Sequence, residues 1–133
     1  MPGAVSPSDV SDMPTDMILL DGARGPDCVT AEVAGGYAIA YTCRDPYKET
    51  DNEDTVAVLP YGPGAAVFVV ADGAGGLPAG KRASLTAVNT LAESLQVAMD
   101  KTTLLRTAIL NGIEAANTAV LELANGSATT MTV

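Results

Sequence analysis

The sequence predicts an α+β fold in layers. Strand-like runs cluster in its first half, two consecutive helical stretches follow, and a last strand-like run closes the chain. Nearly half the 133 residues are apolar and 17% are charged, enough for one domain with its own core. With one Phe, four Tyr and no Trp, that core must be built from Ala, Val, Leu and Ile.

Residues 1–16 hold three prolines, several serines and aspartates and little apolar period, which predicts a disordered leader ahead of a folded unit over 17–133. Met17 to Leu20 is a short apolar run closed by the turn signal Asp21-Gly22. Cys28 to Ala34 alternates apolar and polar residues as a half-buried strand does, and Gly35-Gly36 separates it from a second run, Tyr37 to Cys43, in a hairpin. Both cysteines lie in apolar, strand-like surroundings and are expected to be buried free thiols.

Arg44 to Asp54 is polar, charged and contains Pro46, so it reads as a loop. Thr55 to Leu59 is a strand, Pro60 to Gly64 a strong turn, and Ala65 to Ala71 an apolar run expected to be covered on both faces. From Lys81 the period changes to that of a helix, with Ser84, Val88, Leu91, Leu95 and Met99 on one stripe. A second helix is predicted over Thr103 to Ala124, with Leu105, Ile109, Ile113, Ala116, Val120 and Leu123 as its apolar stripe and Asn125-Gly126 as its stop. The tight turn Asp100-Lys101-Thr102 should fold the two helices antiparallel on one sheet face. Ser127 to Val133 alternates again as a strand.

Composition removes several functions. A net charge of −9 argues against nucleic acid and against an anionic membrane surface, both of which need a basic face. No run is long and apolar enough to span a bilayer, and no signal peptide pattern opens the chain, so a soluble, cytoplasmic protein is expected. The absence of His excludes Ser-His-Asp and Cys-His nucleophiles and His-ligated zinc. Chemistry must run on carboxylates, bound cations, Lys, Tyr, Cys or the backbone.

Two acidic clusters remain. Asp51-Asn52-Glu53-Asp54 stands directly before one strand, and Asp72-Gly73-Ala74-Gly75-Gly76 directly after the next. If those strands pair in a hairpin, Glu53 and Asp54 at the start of one lie beside Asp72 at the end of the other. Carboxylates held that close repel unless a cation sits between them. An all-oxygen set of this kind suits Mg2+ or Mn2+. Gly73 would let its own carbonyl turn to the ion without a Cβ in the way. A strand, glycine-rich loop and helix in that order also occur in nucleotide-binding folds. Here, however, the spacing of Gly73, Gly75, Gly76 and Gly80 breaks the dinucleotide fingerprint, and Pro78 stands where its last glycine belongs.

The ordered series Asn52-Glu53-Asp54, strand, turn, strand ending in Val69-Val70-Ala71-Asp72-Gly73-Ala74-Gly75-Gly76, helix start at Ala79-Gly80-Lys81-Arg82-Ala83-Ser84, and closing Gly126-Ser127-Ala128-Thr129-Thr130 resembles the opening of a type 2C (PPM) metal-dependent serine/threonine protein phosphatase domain. The likeness runs from about Gly36 to Val133. It implies part of an α-β-β-α sandwich, antiparallel sheets flanked by an antiparallel helix pair and incomplete in this chain. It also implies a dinuclear Mn2+ or Mg2+ centre. On that resemblance Asp72 would bridge two ions, the Gly73 carbonyl and Glu53 would bind one of them, and Asp54 would act through coordinated water. Asp54 and Asp72 are then the catalytic carboxylates. The implied reaction is hydrolysis of phosphoserine or phosphothreonine in a protein substrate, with water made acidic by the metal attacking phosphorus in line.

Two positions depart from the family pattern. Glu49 stands where many relatives place a phosphate-holding arginine, which leaves Arg44 or Lys48 to reach that spot. After Asp100 there is no further Asp, so the second ion lacks its family ligands. The expectation is a chain that carries part of the site and lacks efficient phosphatase activity by itself. The alternative is a truncated or degenerate phosphatase-like module that binds a partner, with an open sheet edge near Val133 available for self-association. Lys81 and Arg82 are expected on a solvated helix face.

Overall fold

The computed structural model describes residues 17–22, 25–76 and 78–133; the leader expected over residues 1–16 lies outside the described residues. Six strands and two helices follow in the order β1 (Ile18–Leu20), β2 (Asp27–Val33), β3 (Gly36–Thr42), β4 (Asp54–Pro60), β5 (Ala66–Ala74), α1 (Ala79–Asp100), α2 (Leu105–Glu122) and β6 (Ala128–Thr132). Strands β1, β4, β5 and β6 form one antiparallel sheet in the order β1-β4-β5-β6, and β2 and β3 form a second, two-stranded one.

The β4–β5 hairpin is the frame of the molecule. Its turn closes through the Tyr61 N–H donating to the Ala65 carbonyl at 2.9 Å, with Gly62 at φ +67°. The Tyr61 hydroxyl donates to the Thr103 carbonyl at 2.6 Å and so pins the turn to the α1–α2 connection. Because side chains alternate along a strand, Ala57, Leu59, Val67, Val69 and Ala71 fall on one face, where they pack against Val88, Leu91, Leu95 and Ala108 of the helices. The opposite face packs Leu20 and Val58 against Ala38 and Ala40 of the β2–β3 hairpin. The result is helix pair, sheet, sheet: an α+β sandwich-like arrangement, as the sequence predicts.

The elements agree with the sequence to within a few residues, and the burial pattern corrects it in four places. β5 alternates strictly and leaves Phe68 and Val70 exposed, where both faces were expected to be covered; the two-stranded sheet lies over β1 and β4 and does not extend across β5. Cys28 and Cys43 are both exposed rather than buried. Strand parity explains the first. Ala38 and Ala40 face the core, so Cys28, opposite Tyr41 in the register, faces outward. Cys43 lies beyond the end of β3.

The α2 stripe is shifted as well. Its buried residues are Ala108, Gly112 and Ala116, while Ile113 is exposed. These small residues let α2 approach α1 closely, to the point that a Cβ on Gly112 would collide with Cδ1 of Leu91. Last, the β2–β3 turn is made by Ala34 and Gly35, both at positive φ (53° and 77°), and Gly36 already belongs to β3.

Candidate metal centre

Strand register brings the two acidic clusters together. Asp54, the first residue of β4, is the cross-strand partner of Asp72 near the end of β5. Their carboxyls share the sheet face opposite α1, since the intervening Thr55 and Ala71 point into the helix-side core. Burial pushes the Asp54 carboxyl's pKa up, and the facing Asp72 and then Glu53 add to it, while Lys81 pulls the other way. The pair is therefore a concentration of negative charge that folding holds against its own repulsion.

Glu53 and Gly73 are joined on the helix side. The Gly73 N–H donates to the Glu53 carbonyl at 3.3 Å. A Cβ on Gly73 would run into the Gly80 carbonyl and sit 2.9 Å from the Glu53 carbonyl oxygen, so only glycine fits where β5 passes the start of α1. The Glu53 side chain reaches across to the same place: its Oε1 would lie 2.5 Å from a Cβ on Gly80. That Oε1 is buried and has no hydrogen-bond partner. A buried carboxylate oxygen without a protein donor is costly unless a cation or water contacts it.

Arg44 and Lys48 line one cleft of about 350 Å³ with Glu53, Asp54 and Asp72. The loop between β3 and β4 that carries them is ordered locally, with the Tyr47 N–H donating to Asp45 Oδ1 at 2.9 Å and the Lys48 N–H to the Asp45 carbonyl at 3.1 Å. Both basic residues thus line the cleft that holds the acid pair.

The donor chemistry fits a hard divalent cation. All the groups are oxygens, two carboxylates stand side by side, and a third has an orphaned oxygen. Among the described residues, however, no three His, Cys, Asp or Glu side chains close into a ready-made ion cage. The Glu53 carboxyl rests against the start of α1 while Asp54 and Asp72 meet on the other sheet face.

Several residues that hold this site escaped the sequence reading. Ser84, fully buried, donates to the Glu53 carbonyl at 2.6 Å, which leaves Thr55 Oγ1 to donate to Ser84 Oγ at 2.9 Å. Lys81 is not on a solvated face: only 14% of its side chain is exposed, and its Nζ donates to the Asp21 carbonyl at 2.9 Å and lies 3.4 Å from Asp21 Oδ2. Arg82 is exposed, as expected. Ser84 sits on the expected apolar stripe, a faint signal for a buried polar contact. The partner of Lys81 stands 60 positions earlier, and no local pattern announces it.

Among the described residues no helix is long and apolar enough to cross a membrane. A family model described as protein phosphatase 2C matches residues 46–131, a span that contains Lys48, Glu53, Asp54, Asp72 and Gly73 and excludes Arg44. No curated protein and no solved structure gives a significant match to the chain.

Proposed function

Since this chain belongs to the protein phosphatase 2C family, we propose that it takes part in hydrolysing phosphoserine or phosphothreonine in protein substrates, with Mn2+ or Mg2+ at the Asp54–Asp72 pair. The observation that carries the reading is the cross-strand pairing of those two aspartates beside the orphaned Glu53 oxygen. Asp72 and Asp54 would hold the cation from the open sheet face; the Gly73 carbonyl, and Glu53 once its carboxyl turns from the start of α1 toward the cleft it also lines, would be further oxygen donors. A divalent cation bound there would supply Lewis acidity, acidifying water and offsetting charge on the phosphoryl oxygens.

The chain's own contribution is rigidity and charge. Strands β4 and β5 fix the backbones of Asp54 and Asp72, which limits the reorganisation needed when cation and substrate arrive. Lys48 and Arg44, which line the cleft, are the basic residues available to steer and orient a phosphate dianion. Two exposed free thiols suit a reducing, cytoplasmic setting.

The site is partial in this reading, because no Asp follows Asp100 to serve a second ion and, among the described residues, no three acids close into an ion cage. That same observation favours the alternative, a phosphatase-like module that binds without turning over, and β6, an edge strand of the sheet among the described residues, offers it a surface for self-association. An aryl-phosphate assay with Mn2+ separates these. The expected result is slow turnover that needs Mn2+ and disappears in Asp72→Ala. Turnover that survives chelation or that substitution contradicts the metal site, and robust turnover contradicts its being partial. Intact Mn2+ binding with no turnover selects the binding module.

A further inference from the structure

The acidic loop does not hold itself in place; the segment just after β1 clasps it. Asn52, only 7% exposed, uses every hydrogen-bonding direction it needs. Its Nδ2 donates to Thr42 Oγ1 at 2.7 Å and to the Asp21 carbonyl at 3.2 Å, and its Oδ1 accepts the Asp54 N–H at 3.2 Å. The Asp21 carbonyl also accepts from Lys81 Nζ of α1. Gly22, at φ +49°, makes the contact possible, since a Cβ there would meet Thr42 Cγ2 at 2.8 Å and Asn52 Nδ2 at 3.1 Å. Two segments distant in sequence thus converge on one amide whose third bond ends on Asp54, and α1 joins them through the shared Asp21 carbonyl.

We infer that Asn52, with the clasp of Asp21, Gly22, Thr42 and Lys81, is the positioning device that sets the Asp54 carboxylate opposite Asp72 for cation binding. Asn52 touches no reacting group and acts through the backbone of Asp54. Buried polar networks of this sort rigidify what they hold when every member is satisfied, and this one is. Asp21, Gly22 and Thr42 lie outside the span 46–131 matched by the family model, so the device is a property of this chain beyond that match. Its cation-binding consequence rests on the metal-centre reading above; its structural core does not.

Two measurements keep these apart. The first needs no cation: amide hydrogen exchange at Asp54 should speed up in Asn52→Ala while Ala57 and Val69 of the same sheet exchange as in the wild type. Unchanged exchange at Asp54, or acceleration spread evenly over the sheet, overturns the clasp. The second is Mn2+ binding followed by the electron paramagnetic resonance of the free ion, well below the melting temperature. Asn52→Ala should bind roughly tenfold more weakly, the usual effect of removing a residue that orients a ligand. Thr42→Val, nearly isosteric, should move the affinity in the same direction by less, and serves if Asn52→Ala does not fold. Ala108→Gly, which loosens α2 far from the loop, should melt earlier yet bind Mn2+ as the wild type does. Wild-type affinity in Asn52→Ala and Thr42→Val, or an equal loss in Ala108→Gly, overturns the positioning role. A wild type that binds no Mn2+ removes the metal-centre reading and the positioning role with it, and leaves the exchange result to decide the clasp alone.

Discussion

Asp54 and Asp72 occupy directly opposed register positions on β4 and β5, two acids facing each other at the end of a hairpin whose next pair on the same face is Val56 and Val70. Like charges opposed across a sheet are destabilising. Without a divalent cation, Asp72→Asn should therefore stabilise the chain at neutral pH by a few tenths to about 1 kcal/mol. Denaturant titration in chelator checks the sign: a less stable Asp72→Asn contradicts the repulsion.

The pH dependence follows from the raised Asp54 pKa. The folded chain holds the Asp54 proton more tightly than the unfolded chain, whose carboxyl titrates near 3.8. Stability from this group is therefore complete below the unfolded pKa and is lost as pH rises through the higher folded one. Asp54→Asn should match the wild type at the acid end and pull ahead of it as pH rises past that range. Melting curves in chelator across pH 3 to 7 should show the gap opening upward, and a gap opening toward acid would contradict the account.

Close approach at the start of α1 makes Gly73 irreplaceable. Gly73→Ala should cost about 1–3 kcal/mol, because the obstructing atoms are the Gly80 backbone and cannot rotate aside. Gly64→Ala, where a new Cβ meets nothing within 4 Å, should be near neutral. Equal midpoints for the two variants would contradict the tight passage of β5 past α1.

Ser84, Thr55 and the Glu53 carbonyl form one buried chain of hydrogen bonds. Ser84→Ala should cost about 1–3 kcal/mol by stranding the Thr55 hydroxyl, while the Glu53 carbonyl keeps the Gly73 N–H. Adding Thr55→Val should then cost little more, so a double-mutant cycle reads a clear coupling. Strict additivity would contradict the network.

At the β2–β3 turn, Ala34 stands at φ 53° beside Gly35 at 77°, a left-handed pair suited to a two-residue hairpin. An L side chain is strained there by about 1–2 kcal/mol. Ala34→Gly should raise the melting temperature despite the added freedom of the unfolded chain. A lowered melting temperature would contradict the turn geometry.

These tests also mark what the sequence could carry. The hairpin that opposes Asp54 to Asp72 was legible, because a turn of Pro-Tyr-Gly-Pro-Gly between two apolar runs fixes the pairing of their ends. The helix stripe through Val88, Leu91 and Leu95 was legible from its period. Which face of Cys28 or Phe68 is covered was not, because alternation gives two faces and only the placement of the second sheet decides between them. Gly112 went unread for a similar reason: a glycine at a helix contact matters through what the partner helix brings to it. The Asp21–Lys81 link joins residues with no local relation, so it emerges only once β1 and α1 are packed.

Mn2+ binding to the chain at neutral pH, compared between the wild type and an Asp54→Asn/Asp72→Asn double variant, addresses the metal centre most directly. The account predicts that the wild type binds the ion and that the double variant, folded and no less stable, does not. Equal binding by the two proteins, or none by the wild type, would contradict it.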